Sequence, residues 1–167
     1  MTITMRAMNP VIARVTPESV PHLVASAAAL FAEDGGRRDP LLDTSWPARE
    51  GQPYYGELAD DPNALCLLAF PTGEPAAAAI GHLVGRLRRH DPLRPGTVAG
   101  VLESMRVAPG HRRSGLGTAL ADEFAAWARD NAADYLSVTA YAANESALAF
   151  YRARGFVPFE STLHAPG

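Results

Sequence analysis

The chain contains no lysine, and all fifteen of its basic residues are arginine. That absence removes any Gly-Lys-Ser or Gly-Lys-Thr, and with it the phosphate-binding loop of the nucleotidases. There is one cysteine, Cys66, so no internal disulfide can form, and its place in the apolar run 64–70 predicts burial rather than reactivity. No apolar run approaches the roughly 18 residues needed to span a membrane. The opening stretch, MTITMRAMNPVIARV, lacks the hydrophobic centre of a signal peptide, so cytoplasmic residence is the expectation. The five histidines show no metal-ligand spacing, and no metal is expected. Net charge is −3 with no long basic run, which disfavours nucleic acid as a partner. What remains is a chain of 167 residues, 47% apolar, expected to fold as a single domain over 1–167.

The most informative stretch is 101–120, VLESMRVAPGHRRSGLGTAL. It reads as an apolar strand, a tight turn, a basic glycine-rich loop and the first turn of an alanine-rich helix. Unpaired backbone N–H groups and the dipole make a helix start hospitable to an anion. Gly115 and Gly117 let the main chain approach a ligand closely, and Arg112 and Arg113 add charge. A dinucleotide-binding loop would need a third glycine, but residue 120 is Leu.

Arg112-Arg113-Ser114-Gly115-Leu116-Gly117 resembles the acyl-coenzyme A loop of the GNAT N-acetyltransferase superfamily, Arg or Gln-x-x-Gly-x-Gly or Ala. A second block, Asn144-Glu145-Ser146-Ala147-Leu148-Ala149-Phe150-Tyr151 followed by Gly155-Phe156, is similar to that family's other coenzyme motif. One departure is Ala153, where many relatives carry Lys; Arg152 or Arg154 is the candidate substitute. The resemblance implies an α/β (α+β) fold: a mixed, mostly antiparallel sheet of six to seven strands, helices on both faces, and a splay between strands four and five. It implies acetyl-CoA as acyl-donor cosubstrate, a small-molecule amine as acceptor, and leaves a homodimer open.

Element by element, 11–15 reads as a strand, and Thr16-Pro17-Glu18-Ser19 as the opening of a helix that Gly35-Gly36 ends. Prolines break 37–62 into short pieces. Strands are expected at 64–70, 76–89 and 98–107, the first two joined by a turn at Pro71-Thr72-Gly73-Glu74. In the second of these, His82, Val84, Arg86 and Arg88 share one face, a basic row that is solvated or meets a ligand or a second copy. Leu116, Leu120, Phe124 and Trp127 mark the buried stripe of a helix reaching Asp130. A strand at 135–141, a helix at 145–154 closed by Gly155, and a last strand at 156–163 follow.

Within the resemblance, the pantetheine arm would lie along strand four beside Met105, Arg106 and Val107. The pyrophosphate would lie on Arg112, Arg113, Ser114, Gly115, Leu116, Gly117 and Thr118. Asn144 is either a helix cap or a partner of the arm. Glu103, expected on the same face as Val101 and Met105, is the candidate general base, with an exposed or arginine-paired strand residue as the alternative. Tyr151 matches the family's proton donor to the departing thiolate, or simply packs. Residues 33–61 carry eight acids against three arginines, so a balance of −5 in the acceptor-capping segment stands against +2 elsewhere. This points to a cationic acceptor. A protein or peptide N-terminal acetyltransferase and a non-catalytic acyl-CoA-binding module are the competing functions.

Overall fold

A computed structural model describes residues 9–72 and 77–167. Any strand before residue 9, and the turn residues Gly73 and Glu74, lie outside the described residues. Among those described, five strands form one sheet in chain order: β1 Val11–Arg14, β2 Ala64–Phe70, β3 Gly81–Arg88, β4 Ala99–Val107 and β5 Tyr135–Val138. The first four pair antiparallel, and β5 runs parallel to β4.

The two faces of the sheet carry separate cores. Helix α4, Leu116–Asp130, lays Leu116, Leu120, Phe124 and Trp127 on Leu65, Leu67, Leu83, Leu87 and Leu102. On the other face, helices α1 (Val20–Leu30) and α3 (Trp46–Asp60) cover Cys66, Leu68 and Val84 with Leu23, Ala27, Tyr55 and Leu58. Each such aliphatic or aromatic side chain contributes roughly 1.5–3 kcal/mol by leaving water. Burial also pushes the Cys66 thiol up to about 11, which removes it from nucleophilic chemistry.

Glycine lets elements approach where a side chain would collide. A Cβ on Gly85 would stand 2.7 Å from the Phe124 ring, and one on Gly100 2.9 Å from Ala128. Gly35 and Gly36 have the same role, which corrects their reading as a helix terminator. Both hold helical dihedrals, φ −58° and −62°, and the chain continues through a π-helical turn, Phe31–Gly35, into the short α2, Gly36–Arg38. A Cβ at Gly35 would lie 2.3 Å from Leu42 Cδ2 and at Gly36 2.7 Å from Thr44 Cγ2, so packing rather than a left-handed turn selects glycine here.

Two further differences have physical causes. Instead of short pieces, 46–60 is one helix with Pro53 inside it. The lost hydrogen bond is offset by the buried face of Pro47, Gly51, Tyr55 and Leu58, with Gly51 close against Val24. The expected last strand at 156–163 is not formed: Pro158 lacks an N–H for a ladder, Val157, Phe159 and Leu163 stay exposed, and Phe159 lies under the Arg94 guanidinium at 5.8 Å. Among the described residues the sheet thus has five strands, against the six or seven expected. No helix among the described residues is long and apolar enough to cross a membrane.

Candidate active site

The loop after β4 is built to present backbone N–H groups. A 3₁₀ turn, Pro109–His111, is fixed by Ala108 N–H donating to Ile80 O and His111 N–H donating to Ala108 O, both at 2.8 Å. Arg113 then takes φ +58° and Gly115 φ +87°, a pair of left-handed positions that throws the chain into α4. Buried Leu116 pins the helix start beneath the sheet. The first helical amide to reach a carbonyl is that of Ala119, on Gly115 O at 3.0 Å. The N–H groups of Leu116, Gly117 and Thr118 therefore face outward without helical partners, and Ser114 is turned inward, donating to His111 O. At Gly117 a Cβ would make only ordinary contacts, 3.5 Å to Phe150 and 3.7 Å to Val107, so its value lies in the open approach to the backbone.

The expected splay is present. Pairing of β4 with β5 stops at Leu102 and Val138, so among the described residues the β5-facing edge of β4 is bare from Glu103 to Val107. An extended ligand arm can add to such an edge through the main chain, whatever the side chains. Together with the anion-presenting loop, this is the shape that an acyl-coenzyme A requires, and the residues fit the group.

A β-bulge between Val84 and Gly85 of β3 leaves Glu103 as the extra residue of β4. The bulge corrects half of the expected face sharing: Glu103 stays with Val101 on the α1/α3 side, where it pairs with Arg86, whereas Met105 and Val107 pack with Leu83 on the α4 side. Glu103 Oε2 lies 3.2 Å from Arg86 Nε, close enough for an ion pair but misaligned for a hydrogen bond, and this nitrogen has no hydrogen-bond partner among the described residues. Arg86 in turn donates to the Tyr54 hydroxyl at 3.4 Å. Tyr54 opens onto a groove of about 530 Å³ lined by Trp46, Arg49, Glu50, Pro53, Tyr54 and Glu57. Trp46, Tyr54 and Tyr55 pack edge to face, but Tyr55 is core while the other two line the groove. Among the described residues Arg49 is occupied by Asp43 at 2.7 Å, whereas Glu50 and Glu57 make no ion pair.

The basic row on β3 is not a row. His82 is fully buried, its Nδ1 2.7 Å from Ser26 Oγ on α1 and its Nε2 2.7 Å from Ser104 Oγ on β4. Burial, assisted by nearby Arg106, pushes its pKa down to about 3, so the ring is neutral. Arg88 alone of the three basic residues is exposed.

Asn144 caps the helix α5, Glu145–Ala153, its Oδ1 accepting from Ala147 N–H at 3.1 Å, while its Nδ2 donates to Asp34 at 3.1 Å. The second Nδ2 hydrogen has no partner among the described residues. Tyr151 packs at the edge of the α4 core, between Phe150 and Phe156, and its hydroxyl bonds to no described residue. Burial pushes the phenol up to about 12, so it keeps its proton at neutral pH. Of the two arginines offered as substitutes for the missing lysine, Arg154 is engaged with Asp122 of α4 and Arg152 is exposed.

The residues that sequence reasoning missed lie in the π-helical turn. Glu33 accepts a bidentate pair from Arg106 at 2.7 and 3.0 Å and a third contact from Arg112 at 3.2 Å, which hold its carboxyl below the usual range. Asp34 binds Asn144 and, at 2.7 Å, Arg38. Their partners are far away in sequence, and nothing local signals them.

Comparisons with known proteins agree with this geometry. Similar solved structures include an aminoglycoside acetyltransferase from an uncultured soil metagenomic sample (21% identity, 96% of this chain and 99% of that one, TM-score 0.72). Another is an aminoglycoside 6'-N-acetyltransferase from Acinetobacter haemolyticus (23% identity, 94% and 97%, TM-score 0.70). An aminoglycoside N-acetyltransferase in complex with CoA covers 99% of both chains at 15% identity and TM-score 0.71. At these identities the likeness establishes the fold. No curated protein matches. The model of the acetyltransferase (GNAT) family matches residues 38–156, spanning β4, the anion loop and α5, and the chain belongs to that family of acetyl-CoA-dependent N-acetyltransferases.

Proposed function

We propose that this protein transfers the acetyl group of acetyl-CoA to a primary amine of a small, cationic acceptor by direct attack on the thioester. The observation that carries the acceptor class is the open groove along α3, linked to Glu103 of β4 through Tyr54 and Arg86. It joins Glu50 and Glu57, which make no ion pair among the described residues, to two aromatic rings, Trp46 and Tyr54. Carboxylates concentrate a cation, and ring faces add cation–π attraction. Several similar folds act on aminoglycosides by name, which are polycationic amino sugars.

An acceptor ammonium with a pKa near 10 must lose a proton before it can attack. Glu103 is the acceptor of that proton, directly or through water, and is linked to the groove by Arg86, which contacts both Glu103 and Tyr54. The Arg86 guanidinium beside it keeps the carboxylate oriented. Backbone N–H groups on the bare edge of β4 are positioned to polarise a carbonyl, and the protonated Tyr151 supplies a hydrogen to the leaving sulfur. Arg112, Arg113, Ser114 and the amides from Leu116 to Thr118 hold the diphosphate, and β4 from Met105 to Val107 holds the arm.

The test is thiol release from acetyl-CoA across polyamines, aminoglycosides, neutral amines, amino acids and N-terminal peptides. Polycations should turn over fastest. Glu50→Gln with Glu57→Gln should raise the acceptor KM several-fold, flatten its salt dependence and leave the KM for acetyl-CoA unchanged. Preference for an uncharged or acidic acceptor, or for peptides, overturns the assignment.

A further inference from the structure

Three residues assigned above to coenzyme binding are held by two consecutive acids of one π-helical turn. Glu33 reaches Arg106 on β4 and Arg112 at the mouth of the loop, and Asp34 reaches Asn144 at the start of α5. A Cβ on Gly35, next in the turn, would stand 3.3 Å from the Tyr141 hydroxyl beyond β5. The turn thus crosses from β4 to α5 at the end of the sheet where the two strands part. π-helical turns inside helices mark functional positions more often than chance.

The two arginines differ in how firmly they are held. Arg106 is 11% exposed and takes both carboxylate oxygens of Glu33, a shielded fork that fixes the acid in place. Arg112 is 54% exposed and touches Glu33 once, at 3.2 Å. Its Nε–H donates to Val107 O at 3.0 Å, a carbonyl on the stretch of β4 assigned to the arm. Both of its contacts are therefore with groups that concern the coenzyme. One is the Glu33 carboxylate, an anion that competes with a diphosphate for the same guanidinium, and the other is an acceptor on the bare end of the sheet.

We propose that Glu33 is a positioning residue that sets coenzyme affinity: anchored by Arg106, it holds Arg112 folded against Val107, and the coenzyme's diphosphate must win Arg112 from it. The inference rests on the acetyl-CoA reading of the loop. An exposed single-contact ion pair is a small load, so the cost to affinity is on the order of two- to fivefold. Arg106 keeps its place in both states, since a shielded bidentate pair does not yield to a solvated anion.

The experiment is calorimetric titration with coenzyme A of the wild type, Glu33→Gln, Arg112→Gln and the double variant at low salt, with thermal melting to confirm folding. Gln at 33 retains a carbonyl for Arg106. Glu33→Gln should bind about two- to fivefold more tightly, and that gain should vanish when Arg112 is absent, because there is then nothing to release. A second measurement needs no variant: the Arg112 Nε–H resonance of the wild type should shift on saturation with coenzyme A as it leaves Val107. Equal or weaker binding by Glu33→Gln, an undiminished gain in the Arg112→Gln background, or an unmoved resonance overturns the proposal. Failure of the wild type to bind coenzyme A at all would reject the acetyl-CoA reading and this inference with it.

Discussion

Lowering the pH from 7 to about 4.5 should weaken the fold through one side chain, His82. In the native protein its pKa is about 3 against an ordinary 6.5, because the ring is fully buried between Ser26 and Ser104 with Arg106 nearby. The unfolded chain takes up a proton below the ordinary value, while the native state refuses it until far lower. The stability this contributes is complete above the unfolded pKa and is lost as the pH falls, at up to about 1.4 kcal/mol per unit. Two units of acidification therefore remove about 2.7 kcal/mol, a large share of a margin of roughly 5–15 kcal/mol. Glu33 and Asp43, held low by arginine and serine partners, also lose their contribution in acid, so the histidine must be isolated by difference. Urea unfolding of the wild type and of His82→Gln, whose amide can still bond to hydroxyls, should be followed across this range. The variant should start less stable and lose less, so the gap closes by about 2.7 kcal/mol. Parallel curves, or a native imidazole resonance titrating near its ordinary value, would refute the reasoning.

Gly117→Leu should fill the approach between Phe150 and Val107 and weaken coenzyme A binding at least about tenfold with native circular dichroism; calorimetry reads the loss. Tyr151→Phe keeps the ring and removes the proton, so single-turnover rates should fall on the order of 10²-fold while coenzyme affinity holds. Glu103→Gln should lower kcat by a similar factor at neutral pH and recover part of it at alkaline pH, where the acceptor amine is already neutral; a flat profile would return Glu103 to an ion-pair role with Arg86.

The anion loop and the cap of α5 were legible because their signals are local. Gly115 is needed for a left-handed step, Leu116 opens a helical stripe, and Asn144 and Gly155 bracket a helix within a dozen residues. Glu103 keeps the side that alternation from Val101 gives it, but the sides of Met105 and Val107 were not legible, because strict alternation fails at a bulge and one extra residue moves every later side chain to the other side of the sheet. The same limit hid His82, whose partners stand 56 and 22 positions away, and Glu33, whose partners are 73 and 79 away. Gly35-Gly36 misled for another reason: glycine serves both left-handed turns and close packing, and composition alone does not separate the two.

Because neighbouring strands in the sheet are also neighbours in the chain, each hairpin of the meander can form as soon as its second strand leaves the ribosome. The parallel addition of β5 is different, since it must wait for the α4 crossover. During synthesis the proposed acceptor groove along α3, a helix packed on β2 and β3, is therefore expected to exist before the coenzyme has a place to bind. Asn144 and Tyr151 arrive last, and a nascent chain halted before α5 would be a folded platform without the residues proposed to meet the arm and the leaving sulfur. Pulse proteolysis of stalled chains would show protection of β2–β4 well ahead of any stabilisation by coenzyme A.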